Sequence, residues 1–192
     1  MEKAKNSTAW IEEGYNLFAH EGLGGIQVER LARILQLNKS GFYHYFGDVE
    51  VYCEELLKLH EIKANLYFDA VREAKRIDPD YFQILIDFKV AAMFHTQLTR
   101  MPNKPLYYNL ARKIDQEEDI VLRQLWCAYL GVENEPDLAM RYFNIVRDTF
   151  YARISFENMN VPFFRELLGE AKEVINALTE HKSKLEVDEP LY

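Results

Sequence analysis

The sequence predicts an all-α fold, with a small head of three helices over residues 1–47 and a larger helical domain over 48–192, about nine helices in all. Three observations predict it. Apolar residues recur at i, i+3, i+4 and i+7 through most of the 192 residues, the period of a helix with a buried face. Prolines fall at the breaks between these stretches, at Pro79, Pro102, Pro105, Pro136 and Pro162, where helices stop or restart. No alternating strand pattern, internal repeat or low-complexity linker interrupts them, and 48% of the residues are hydrophobic, enough for a packed core.

The first helix is expected from about Ser7 to Glu21, with Ile11, Tyr15 and Phe18 as its core stripe. Gly22, Gly24 and Gly25 stop it. The second carries Val28, Leu31, Ala32 and Leu35 on one face. Gln36, Leu37 and Asn38 follow, and a third helix runs from Lys39 to about Tyr45 with Asn38 as N-cap. A fourth starts near Asp48 and continues to about Arg76, a rod of about 40 Å at 1.5 Å per residue. Further helices are expected near 80–100, 105–114, 116–131, 136–157 and 162–182, with a frayed polar tail after Lys182.

The formal net charge is −8. Within residues 1–47, five cations (Lys3, Lys5, Arg30, Arg33, Lys39) meet five anions (Glu2, Glu12, Glu13, Glu21, Glu29), so this segment is neutral. That balance permits contact with phosphate without demanding it. Cys53 and Cys127 match neither a metal spacing nor a disulfide framework and are expected as buried free thiols. The first residues lack the apolar core of an export signal, and no uninterrupted apolar run reaches the roughly 18–20 residues of a membrane span. The expectation is a cytoplasmic protein. No phosphate loop, nucleophile elbow, paired-histidine metal motif or dinucleotide fingerprint is present, and His20, His44, His60, His95 and His181 share no ligand spacing. The chain is therefore expected not to be an enzyme and to need neither cofactor nor metal.

The informative stretch is Val28 to Phe46, VERLARILQLNKSGFYHYF. Two short helices separated by three residues make a helix-turn-helix. Val28, Leu31, Ala32 and Leu35 pack the first inward, Leu37 plugs the turn, and Phe42 and Phe46 anchor the second. Lys39, Ser40, Tyr43 and His44 are left to face outward.

Together with Trp10-Ile11, Leu17-Phe18-Ala19 and Glu21-Gly22, the run Asn38-Lys39-Ser40-Gly41-Phe42-Tyr43-His44-Tyr45-Phe46 resembles the TetR family of transcriptional regulators, over about residues 8–57. The resemblance implies a ligand-responsive regulator, most often a repressor, that binds a palindromic duplex operator as a homodimer. It places the third helix in the major groove. Lys39, Ser40 and Gly41 would then lie near base edges or phosphates, with Asn38 capping the helix, Tyr43 and His44 on the backbone, and Gln27 near a phosphate. A helix N-terminus, a lysine and hydroxyl donors suit such contacts chemically. Tyr43 and Tyr45 equally fit a half-buried core, and His44 and Lys39 an ordinary solvated surface. The sequence departs from the family at Gln36, where glycine is common, at Gln27, a weaker cap than serine or threonine, and at Val49, where a lysine is common.

In the second domain, residues 138–156 carry two apolar stripes. One is Leu138, Tyr142, Ile145, Thr149, Ala152 and Phe156; the other is Ala139, Phe143, Val146, Phe150 and Ile154. Two stripes predict burial on two sides. The last helix offers Phe164, Leu167, Leu168, Ala171, Ile175 and Leu178. Pairing both helices across a two-fold axis would give a four-helix dimer interface. An effector pocket is expected among Phe94, His95, Tyr107, Tyr108, Trp126, Phe143, Arg147 and Phe150, although these aromatics also fit a plain core. The long fourth helix would then act as the lever between ligand and operator. The competing expectation is a helical small-molecule-binding or interaction protein with a degenerate DNA-binding module.

Overall fold

A computed structural model describes residues 2–187, with side chains over 6–177. Among the described residues there are nine α-helices and no strand. They are α1 (Glu2–Glu21), α2 (Val28–Leu35), α3 (Lys39–Phe46), α4 (Val49–Glu73), α5 (Phe82–Asp87), α6 (Lys89–Thr99), α7 (Pro105–Leu130), α8 (Pro136–Arg153) and α9 (Val161–Val187). A 3-10 turn, Gly22–Gly25, follows α1, and a π turn, Ile77–Tyr81, precedes α5. The expected tail beyond Val187 and the side chain of Leu178 lie outside the described residues.

Local chemistry explains most boundaries. Asp48 accepts the backbone N–H of Val51 (2.8 Å) and so starts α4. Prolines open α7 and α8, where a missing N–H costs nothing. Three expectations need correction. The helices placed at 105–114 and 116–131 are one, α7, because no glycine or proline interrupts Asp115-Gln116-Glu117-Glu118. The stretch 80–100 is divided at Phe88, whose φ of −96° and ψ of 19° separate α5 from α6 without any sequence breaker. Finally, α8 stops at Arg153, so Phe156 lies beyond its end; Asn158 accepts the Ser155 N–H and donates to the Arg153 carbonyl there.

The chain divides into two compact units: residues up to Glu73 with Asp87–Val121, and Ala74–Ile86 with the chain from Leu122 onward. In the first unit α1 to α3 share a core with α4 and α6, so this unit extends well past residue 47. Phe42, with no solvent exposure, is the hub of its α3 end. Trp10, Phe46 and Tyr52 surround it with ring centroids 5.4, 5.1 and 4.9 Å away. Edge-to-face and tilted pairs of this kind add about 0.5–1.5 kcal/mol each beyond their burial. The Tyr52 hydroxyl donates to the Trp10 carbonyl (2.6 Å), binding α4 to α1. Gly14 makes this approach possible, since a Cβ there would sit 1.7 Å from the Tyr52 oxygen. Farther along α1, Tyr15 and Phe18 stack on Phe94 of α6 at 4.3 and 4.2 Å.

The second unit is built on Trp126, which has no exposure, stands edge-on to Phe143 (5.4 Å) and donates its indole N–H to the Ala139 carbonyl (2.9 Å). Phe82 packs on Phe164 at 5.4 Å. Asp80 accepts the backbone N–H groups of Lys75 and Arg76, 3.0 Å each, which fixes the turn before α5. Arg165 holds Asp78 with two bonds of 2.7 and 3.2 Å, and this pairing keeps the Asp78 carboxyl below its usual range.

Candidate nucleic-acid interface

α2 turns its buried side, Val28, Leu31 and Ala32, into the first unit. Gln27 precedes it in extended backbone with no side-chain cap; its amide donates instead to the Gly24 carbonyl at 3.4 Å. The helix ends at Gln36, held in the left-handed region at φ 55° and ψ 36°. The Leu37 N–H then returns to the Ala32 carbonyl (2.9 Å), and the half-buried Leu37 side chain closes the turn. Asn38 caps α3 by accepting the Ser40 N–H at 3.1 Å.

On α3, Phe42 and Phe46 are the buried pair. At about 100° per residue, the side opposite them is the row Ser40–His44, flanked by Gly41 and Tyr43. Lys39, Ser40, Tyr43 and His44 are all exposed, Tyr43 at 51%, while Gly41 and Tyr45 are half-buried. Lys39 falls on the flank nearer α2. Its ammonium donates to Glu29 at 2.9 Å, a contact that lowers the Glu29 carboxyl and raises the Lys39 ammonium from their ordinary values. Arg30 is likewise clamped to Glu21, by two bonds of 2.5 and 2.6 Å. Among the described residues of α2 and α3, Arg33 alone of the three cations makes no ion pair. Val49 opens α4, half-buried, beside this surface.

The expected effector residues fall in both units. In the first, Phe94 is wholly buried within its aromatic stack, His95 is buried, and Tyr107 and Tyr108 are half-buried. In the second, Trp126 and Phe143 are buried together, Phe150 is half-buried against Phe163 and Phe164, and Arg147 is 6% exposed. The Arg147 guanidinium donates to Asn144 (2.5 Å) and lies 5.2 Å over the Phe143 ring. Cys53 and Cys127 are buried and free, with burial raising both thiols.

The expected dimer residues separate by helix. On α8, Ile145 is 62% exposed and Ala152 is exposed; Tyr142 and Thr149 are half-buried, as is Phe156 just beyond the helix. On α9, Phe164, Leu167, Leu168, Ala171 and Ile175 are buried in the chain's own second unit, and Val174 is 48% exposed.

The first unit also holds a buried polar constellation that no sequence motif marks. The Tyr15 hydroxyl lies 2.8 Å from His60 Nδ1, His60 Nε2 lies 3.3 Å from His95 Nδ1, and His95 Nε2 lies 3.1 Å from Asp115 Oδ1. All four residues are buried. Burial, then the neighbouring His95 and Lys63, pushes the His60 imidazole well below its ordinary value, and burial raises the Tyr15 phenol far above its own. The signal was present in α4, where His60 occupies a place in the stripe Cys53, Leu56, Leu57, Ala64, Phe68 and Val71. A histidine inside an apolar stripe needs buried partners.

No protein-family model, curated protein or solved structure matches this chain.

Proposed function

We propose that this chain is a ligand-responsive transcriptional regulator, a repressor in its simplest form, that binds a palindromic duplex operator as a homodimer through the helix-turn-helix formed by α2 and α3. The observation that carries the reading is the division of α3. One side is fixed by Phe42 and Phe46 in a rigid aromatic core, and the other presents Ser40, Tyr43 and His44 to solvent under an Asn38 cap. A short capped helix held rigidly, with hydroxyl and imidazole donors outward, suits a major groove. The likeness of residues 8–57 to the TetR family supports the same assignment.

Dimerisation is supported by a row on α8 in which Leu138, Ile145 and Ala152 are exposed and Tyr142 and Thr149 are half-buried, Tyr142 bonding to the Ala171 carbonyl of α9. Leu138 (47% exposed), Tyr142, Ile145, Thr149 and Ala152 follow one another at spacings of four and three, the period of a helix-pairing seam. A second copy would cover them and bring two α3 helices to one duplex. The aromatic residues around Arg147 suit a small-molecule effector. A hundredfold change in operator affinity needs only about 2.7 kcal/mol of differential binding by that effector.

Selection of bound sequences from a random duplex pool tests the reading; a palindromic consensus is expected. Failure to enrich any sequence at low salt would refute it. The ion pairs Lys39–Glu29 and Arg30–Glu21 favour a second reading, a helical binding protein whose DNA-binding module is degenerate. A salt titration separates the two, because phosphate contacts give affinity a steep salt dependence.

A further inference from the structure

We infer that the buried chain Tyr15–His60–His95–Asp115 is a proton-sensitive clasp, which fastens α1 and α4 to α6 and α7 while both imidazoles are neutral and loosens on uptake of one proton. Donor counting carries the inference. A carboxylate only accepts, a neutral imidazole has one N–H, and a phenol has one O–H. With Asp115 ionised, only one arrangement satisfies the three contacts. His95 donates from Nε2 to Asp115, His60 donates from Nε2 to His95 Nδ1, and Tyr15 donates to His60 Nδ1.

A further proton has no neutral place in this order. Added at His95 Nδ1, it faces the His60 N–H at 3.3 Å. The conflict is relieved only if His60 moves its own proton to Nδ1, which turns Tyr15 from donor to acceptor. Added at His60 Nδ1, it has the same consequence. Either way the Tyr15 hydroxyl must find a new acceptor at a position 1% exposed, and burial keeps the phenol from releasing its proton. The load therefore falls on α1.

Charged groups face the chain from several elements. α1 adds Glu12, paired to Lys63 of α4 at 3.5 Å, and Lys63 lies 5.1 Å over the Tyr15 ring. α7 adds Arg112, 3.5 Å from the second Asp115 oxygen. α6 supplies Phe94, stacked on His60 at 4.6 Å, besides His95 itself. The positive Lys63 opposes charging of His60, as burial does. The sign rests on His60, whose imidazole burial holds well below its ordinary value: once its contacts open it takes up a proton that the clasped form lacks. Opening should thus become about tenfold more favourable per pH unit below about 6.5.

Native-state hydrogen exchange of the full chain between pH 7.5 and 5.5, corrected for intrinsic rates, tests this without DNA, so its outcome is independent of the proposed function. Protection of α1 and α6 amides should fall about tenfold per unit in the acid half of the range. Long-range nitrogen NMR at pH 7.5 should find both buried histidines as Nε2–H tautomers. His60→Gln keeps a neutral acceptor and donor at the two ring positions, and should retain protection at pH 7.5 while losing most of the acid slope. Where that variant does not fold, His60→Asn, which also replaces the imidazole with a neutral amide, makes the same test. An Nδ1–H tautomer at either site, or an acid slope that is absent from the wild type or undiminished in the folded variant, would overturn the clasp.

Discussion

Gln36 holds the turn between α2 and α3 at φ 55° and ψ 36°, a left-handed conformation that side chains disfavour. An L-residue there gives up about 1–2 kcal/mol relative to the right-handed region. Glycine removes that cost but brings back about 0.5–1 kcal/mol of chain entropy from the unfolded state. The side chain at 36 is exposed and contributes no core packing, so the balance for Gln36→Gly is a gain of about 0.5–1 kcal/mol. In a chain of this length that raises Tm by about 1–4 °C. The closing bonds, from the Gln36 N–H to the carbonyls of Ala32 and Arg33, are backbone bonds and survive the change. Gln36→Val sharpens the test, because a β-branched residue fits this region poorly and should cost about 1 kcal/mol or more. Urea midpoints and thermal melts followed by helical circular dichroism read both variants. Equal stability of the glycine and valine variants, or a glycine variant less stable than the parent, would refute the strained turn.

Ile145→Glu should leave the stability of the single chain within about 0.5 kcal/mol, since the side chain is 62% exposed. It should weaken the proposed pairing by about 2 kcal/mol or more across two copies, read by sedimentation equilibrium. Glu29→Gln releases Lys39 from its 2.9 Å ion pair; duplex affinity should rise a few-fold, while Lys39→Ala should flatten the logarithmic salt slope by about 1 per bound protomer. Gly14→Ala forces a methyl to within 1.7 Å of the Tyr52 oxygen and should cost about 1–3 kcal/mol; a calorimetric melt unchanged from the parent would contradict the close approach of α1 and α4.

What the sequence made legible was local. Caps, prolines and apolar periods reported the elements, because each acts within a turn or two of its own position. Asn38 and Asp48 start helices by bonds to residues two and three positions ahead, and such signals need no tertiary partner. The acidic run at 115–119 misled for the complementary reason. The expected helices 105–114 and 116–131 leave Asp115 outside both, yet Asp115 is 4% exposed and serves His95 from another helix. Lys39 was similarly half legible. By the α3 period it shares the side of Phe42 and Phe46, and it is exposed as the first residue of the helix, while its pairing with Glu29 depends on how α2 crosses α3. The bend at Phe88 has no residue that announces it, and packing of α5 and α6 in different units accompanies it.

α1 joins the two features of the first unit that bear on function. Trp10 packs on Phe42, the residue that seats α3, and Tyr15 ends the buried polar chain that reaches α6 and α7. Five residues of helix separate them, about 7.5 Å along one rigid rod. Gly14 lies between and admits the Tyr52 hydroxyl to the Trp10 carbonyl, so α4 is fastened to the same rod. A displacement of α1 at Tyr15 therefore cannot be absorbed locally; it moves Trp10 and presses on the ring that fixes the outward row of α3. Coupling between distant sites requires a contiguous element with two arrangements, each favoured by a different state of a ligand or proton. α1 supplies the contiguity, and the neutral and protonated states of the proposed clasp would supply the two arrangements. If the proposed function holds, duplex affinity should fall with the same acid slope as the protection of α1, and an affinity indifferent to pH over a range where that protection falls would separate the clasp from α3.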